Sequence, residues 1–254
     1  MSISSEAELE GMQHISRIVA HTLKKMREYA KPGISTKELD DYGAGMLNTL
    51  GAKSAPKAAY GFPGSTCISL NQVIAHGIPS PGLILKEGDL LNIDVSAECR
   101  GFWADNGGSF IVGGTQNENT RLVETSRQIL HKAIHSIRNG VKISAIGKLI
   151  ETEAKKAGYK VIKNLAGHGV GRSLHEDPLE ILNCYDRFNL QRFRKHAVVA
   201  IETFIATHSS YAEQQADGWT LLGNRGGYVA QHEHTIVVTD SAPIILTAEN
   251  GIWN

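Results

Sequence analysis

The sequence predicts an α+β fold of two similar halves, each a helix pair followed by mainly antiparallel strands. Three spacings carry that prediction. Gly33 and Gly140, which close the first helix of each pair, lie 107 positions apart, and Gly51 and Gly158, which close the second, are again 107 apart. Asp94 and Glu202, each an acid within a strand-like run, are 108 apart. So long a period does not describe a solenoid unit. It describes a structure built twice, in which a site at the junction would draw side chains from both halves.

The elements follow in order. The first helix is expected from about Ser5 to Tyr29: Ser5 and Glu8 have capping-box spacing, and Met12, Ile15, Val19, Leu23 and Met26 recur at helical intervals. Pro32 and Gly33 stop it. A second helix starts near Ser35, with Glu38 three residues on, and ends before Gly51. The strands after it include LLNIDVSAE. In the second half a helix from about Asn119 to Arg138 ends at Gly140, another runs from Ser144 to before Gly158, and AVVAIETFIA is the matching strand.

Composition narrows the function. The 254 residues carry 26 basic and 26 acidic side chains, which is not the footprint of a nucleic-acid binder. The run Arg187, Arg192, Arg194, Lys195 and His196 reads as a solvated loop. Three cysteines, Cys67, Cys99 and Cys184, lack the close spacing of a disulfide framework or a structural zinc site. The opening MSISSEAELEGMQ is acidic and has no apolar core, so it reads as neither signal peptide nor anchor. No apolar run reaches membrane-spanning length.

The chemistry concentrates in acids and histidines. Glu98-Cys99-Arg100-Gly101 reads as a hairpin loop, and a turn centred between Cys99 and Arg100 sets Asp94 directly opposite Asp105, roughly 5 Å apart. Two carboxylates so placed repel unless a cation lies between them, as in two-metal sites; the other reading is a pair of solvated acids on an exposed hairpin face. Glu202 interrupts an apolar run that reads as a buried strand, where an unpaired carboxylate is costly. Glu233 lies on a similar run. Its neighbours His232 and His234 point to the other face of a strand and read as structural or surface residues. In GHGVGRSLHEDP, residues 167–178, the glycines flanking His168 let a ligand or another backbone approach closely. Four carboxylates and one imidazole suit divalent ions such as Mn, Fe(II), Co or Zn. His175 and His76 sit in turn-prone, glycine-rich stretches. His131 and His135 have i, i+4 spacing without the acid of HExxH, and read as an ordinary helix surface.

The stretches NQVIAHGIPSPG, LNIDVSAECRGFWAD, NLAGHGVGRSLHEDP, VAIETF and QHEHTIVVTD, in this order, resemble the type I methionine aminopeptidases over nearly the whole chain, up to Val238. That resemblance implies a pita-bread (creatinase/aminopeptidase) fold, with helices outside a curved sheet. It implies a single metallo-aminopeptidase domain over 1–254, with halves at about 1–115 and 116–254. Two divalent ions (Co, Mn, Fe(II) or Zn) would be held by Asp94, Asp105, His168, Glu202 and Glu233, with Asp105 and Glu233 bridging. Glu202 is similar to the family's proton shuttle. His76 and His175 resemble the pair at the scissile peptide, and Ala59, Phe62, Cys67, Leu174 and Trp219 map onto the methionine pocket.

The implied activity is removal of the N-terminal methionine from peptides and nascent proteins with a small second residue. The implied setting is a cytoplasmic monomer with a transient ribosome contact and neither DNA nor membrane as partner. Glu202 follows His175 by 27 positions, which leaves no room for the insertion of type II enzymes. The chain departs from the family pattern at Thr203, where proline is usual, at Asn106, where threonine is common, and at Arg194-Lys195-His196, which replaces a glycine-containing lead-in. Two other readings stand beside it: an Xaa-Pro peptidase on the same fold, and a catalytically impaired paralogue that binds peptides.

Overall fold

The helices begin where their caps dictate. In the computed structural model, which describes residues 1–253, α1 (Glu6–Tyr29) follows Ser5 and buries Met12, Ile15, Val19, Leu23 and Met26. The Ser5 hydroxyl accepts from the Glu8 amide, but the Glu8 carboxylate accepts from Ser4, from its amide at 2.8 Å and its hydroxyl at 2.7 Å. A complete capping box between Ser35 and Glu38 opens α2 (Thr36–Thr49). The short α3 (Ala55–Tyr60), with proline in its first turn, has too few residues to show a period in the sequence. In the second half come α4 (Thr120–His135) and α5 (Ile143–Lys156). α4 ends earlier than its apolar pattern suggests, because the Ser136 and Ile137 amides turn back onto the Ala133 and Ile134 carbonyls.

The strands are β1 (Lys53–Ser54), β2 (Cys67–Leu70), β3 (Val73–Ala75), β4 (Leu90–Cys99) and β5 (Phe102–Ile111), then β6 (Lys160–Val161), β7 (Ala166–Gly169), β8 (Glu176–Leu182) and β9 (Val198–Ala206). β10 (Ala212–Gln214), β11 (Leu221–Gly223), β12 (Val229–Val237) and β13 (Ile244–Ile245) complete them. The main sheet runs β1-β4-β5-β12-β9-β7-β8, with β2 on β4, β6 on β9 and β13 on β12; β10, β11 and β3 form a small second sheet. All the pairings are antiparallel.

The topology repeats. β1 and β2 flank β4 in the first half as β6 and β7 flank β9 in the second, and β5 meets β12 at the centre. α1 packs on β4 and β5, and α4 on β9 and β12, so the helices cover one face. The apolar core beneath them runs through both halves. Among the described residues no helix is long and apolar enough to cross a membrane.

The β4–β5 turn corrects one expectation. Its loop is Arg100-Gly101, both at positive φ (54° and 79°), closed by the pair Cys99 and Phe102. A two-residue hairpin with both loop residues left-handed matches the twist of its strands, and this centres the turn one residue later than expected. Asp94 therefore pairs with Gly107 and Asp105 with Ser96. The acids are diagonal neighbours rather than direct opposites. They still share a face, because the register moved by two residues and side chains alternate with period two.

Candidate metal centre and substrate cavity

Strand register assembles the site on the face away from the helices. Glu202 of β9 pairs directly with Glu233 of β12, and His168 of β7 pairs with Ala200, two residues from Glu202 and on its side of the sheet. Asp105 is tied to β12 by Thr235, whose hydroxyl accepts from the Asp105 amide (3.1 Å) and donates to its carbonyl (2.7 Å). Asp105, His168 and Glu233 each bring one ligand atom within 4.8 Å of the others, and all three are buried. His168 Nε2 lies 3.8 Å from Asp105 Oδ2. Asp94 and Glu202 line the same cavity.

The glycines around His168 serve backbone contact. A Cβ on Gly167 would fall 2.4 Å from the Ala200 carbonyl oxygen, and one on Gly169 would fall 2.5 Å from that of Asp177. β7 is thus held tightly between its neighbours, which fixes the His168 ring over the acids.

The electrostatics call for a cation. Burial pushes Asp94, Asp105, Glu202 and Glu233 all above the usual carboxylate range, and the charge of Asp105 raises the other three further. Burial, then the nearby His175, drives His168 down to about 3, so its ring is neutral and able to donate a lone pair. Asp105 Oδ1 is buried without a hydrogen-bond partner. Four acids that resist ionisation together, a neutral imidazole and an orphaned carboxylate oxygen fit a divalent metal. The Gln231 side chain, two residues from Glu233 on the same face, donates to Glu233 (3.2 Å) and Glu202 (3.4 Å) and is itself held by Asn92 (2.7 Å).

A cavity of about 290 Å³ opens beside this cluster. Phe62 and Trp219 meet edge to face at 5.2 Å, and with the buried Cys67 and Leu174 they form an apolar wall. Burial and then the charge of Asp94 hold the Cys67 thiol far above its usual range, so it is a neutral, polarisable surface. Ala59 is exposed on α3 and is not among the lining residues, whereas Pro56 and Tyr60 of that helix are. His76 lies at the mouth with φ 54°, a left-handed conformation rare for a residue with a Cβ. The His175 ring lies 4.1 Å from that of His168, and its Nδ1 is hydrogen-bonded to the Tyr60 hydroxyl. Sequence reasoning passed over Tyr60 and Gln231. The signal for Gln231 was its i−2 spacing from Glu233; Tyr60 carried none beyond standing beside Ala59 and Phe62.

The remaining histidines lie elsewhere. His232 and His234 are fully buried on the helix side, with Nδ1 bonded to Ser126 (3.0 Å) and Thr247 (2.8 Å) respectively. They are structural, and neither is a surface residue. His131 and His135 stack at 4.1 Å along α4. Thr203 and Asn106 also point away from the acids: Thr203 bonds Ser126 (3.1 Å), and Asn106 joins the Val95 carbonyl (3.0 Å) to Asn250 (3.1 Å). Both departures are hydrogen-bonded and lie behind the site.

Residues 10–240 match the family model described as metallopeptidase family M24. The chain belongs to metallopeptidase family M24. Within M24 it is 45% identical to methionine aminopeptidase 2 of Bacillus subtilis (strain 168), over 97% of this chain and 99% of that one. It is 35% identical to the methionine aminopeptidase of Escherichia coli (strain K12), over 97% and 94% respectively. The crystal structure of a methionine aminopeptidase from Thermotoga maritima superposes with a TM-score of 0.92 at 33% identity, covering 97% of this chain and 99% of that one. The prolidase of Pyrococcus furiosus, at 20% identity and a TM-score of 0.77, shares the fold. The architecture is therefore the pita-bread fold of M24, as the resemblance implied.

Proposed function

We propose that this chain is a type I methionine aminopeptidase, which hydrolyses the bond after an N-terminal methionine when the second residue is small. One observation carries the reading: the metal-suited cluster of Asp105, His168 and Glu233 sits against a cavity walled by Phe62, Cys67, Leu174 and Trp219. An apolar slot with an aromatic wall and a thiol suits a flexible thioether side chain. The substrate's amino end then lies at the acids and its first carbonyl near His175. Asp94, Asp105, His168, Glu202 and Glu233 would hold two divalent ions, which lower the pKa of water toward neutrality and polarise the scissile carbonyl. Glu202 accepts the proton of the attacking water and returns it to the leaving amine. His175, with His76, donates to the developing oxyanion and positions the peptide. The close spacing of His175 and Glu202 supports type I over type II. The reading extends to a cytoplasmic monomer that acts on nascent chains at the ribosome.

Metal-stripped protein titrated with Mn(II) or Co(II) tests this on Met-Ala-Ser and Ala-Pro-Ser peptides, with Glu202→Gln as control. Metal-dependent release of methionine alone, lost in the control, is the expected result. Silence with both peptides despite tight metal binding would overturn the aminopeptidase reading.

A further inference from the structure

A second cavity, of about 440 Å³, opens on the helix side of the sheet, where β5 and β12 meet beneath α1 and α4. Arg27 of α1 and Arg127 of α4 both line it, with His232 and Ser109 from the two central strands. Arg27 is half-buried, lies 5.5 Å over the Phe110 ring, and donates to the Gly251 carbonyl at 2.6 Å. Among the described residues neither guanidinium has a carboxylate within ion-pair distance. Glu124 lines the cavity without pairing to either. Burial and then the charge of Arg127 hold Arg27 below the usual guanidinium range.

Two like charges converge here on one recess. The partners of Arg27 are neutral, the Gly251 carbonyl and the Phe110 ring, so among the described residues neither guanidinium meets an opposite charge in the recess. Guanidinium forks match the geometry of oxyanions. Thr115 and Thr120 line the rim, the Thr115 hydroxyl donating to Glu87 and the Thr120 hydroxyl accepting from the Asn117 amide at 2.9 Å. The volume is in the range of small-molecule sites. We propose that this cavity binds a phosphate-bearing small molecule, with its oxyanion held between Arg27 and Arg127. The cavity lies across the sheet from the acids, so the inference stands apart from the proposed peptidase reaction.

Free phosphate and the phosphate of a nucleotide offer the same chemistry to this pair. Isothermal calorimetry of the full chain, with inorganic phosphate and with adenosine monophosphate at constant ionic strength, separates them. Saturable binding that weakens about tenfold or more in Arg127→Gln is expected, as the loss of a charge-assisted pair. Glu124→Gln, which removes the cavity's acid, should tighten it. Arg27→Lys, which retains a donor for the Gly251 carbonyl, should weaken it and serves as the second variant if Arg127→Gln does not fold. Tighter binding of the nucleotide identifies an organic phosphate as occupant; equal binding identifies the oxyanion alone. No saturable heat from either ligand, or binding unchanged by Arg127→Gln and Arg27→Lys, would overturn the proposal.

Discussion

Tyr60 engages His175 at Nδ1, and that bond leaves Nε2 as the nitrogen free to act in the cavity. If the hydroxyl donates, Nε2 carries the proton that an oxyanion needs. Tyr60→Phe is therefore expected to lower kcat by roughly 10–100-fold with little change in KM, the usual cost of losing an orienting partner. Unchanged activity in Tyr60→Phe would show that the ring matters only as packing. Residues of this kind are hard to read in a sequence. Asp94, Asp105, Glu202 and Glu233 stood out because an acid in an apolar run demands explanation. Tyrosine and glutamine beside such runs do not, since their roles come from partners far along the chain. Strand parity did place His232 and His234 on the face opposite Glu233; it could not say that α4 and the loop around Thr247 would bury them.

At the level of elements, the four long helices were legible to within a turn because caps and apolar spacing are local properties, whereas the short α3 was not. Nor was hairpin register. One residue of turn placement separates a direct from a diagonal pair of acids, and the turn expected from sequence was centred between Cys99 and Arg100, one residue too early. The close approach of β7 to its neighbours was visible only as glycine content, with no indication of what came near. The contact itself makes a sharp prediction. Gly167→Ala forces a methyl against the Ala200 carbonyl, and should cost about 1–3 kcal/mol as overpacking. A lowered melting temperature relative to wild type checks it. An unchanged melt would mean that β7 has room to shift and does not fix the His168 ring.

For the molecule as a whole, the acid cluster couples stability to pH. Unfolded carboxylates release their protons near pH 4 (about 4), whereas in the fold all four are raised, Glu202 to about 8. Between those limits the folded chain holds protons that the unfolded chain has lost, so the metal-free protein should lose stability as pH rises through neutrality. A bound divalent ion takes the place of those protons, and its stabilisation should grow over the same interval. Melting temperatures from pH 5 to pH 8, in chelator and in Mn(II), read both slopes, and parallel slopes would refute the coupling. The duplicated plan was legible from the equal offsets of glycines and acids, since a repeat preserves spacing even where residues diverge. What the offsets did not reveal is where the halves differ. β2 on β4 answers β7 on β9, yet Asn92, 108 positions before Ala200, is paired with Ser69, where Ala200 is paired with His168. One half of a nearly symmetric plan thereby carries a hydroxyl where the other carries an imidazole. A site so unequal presents different chemistry to the two ends of whatever enters it.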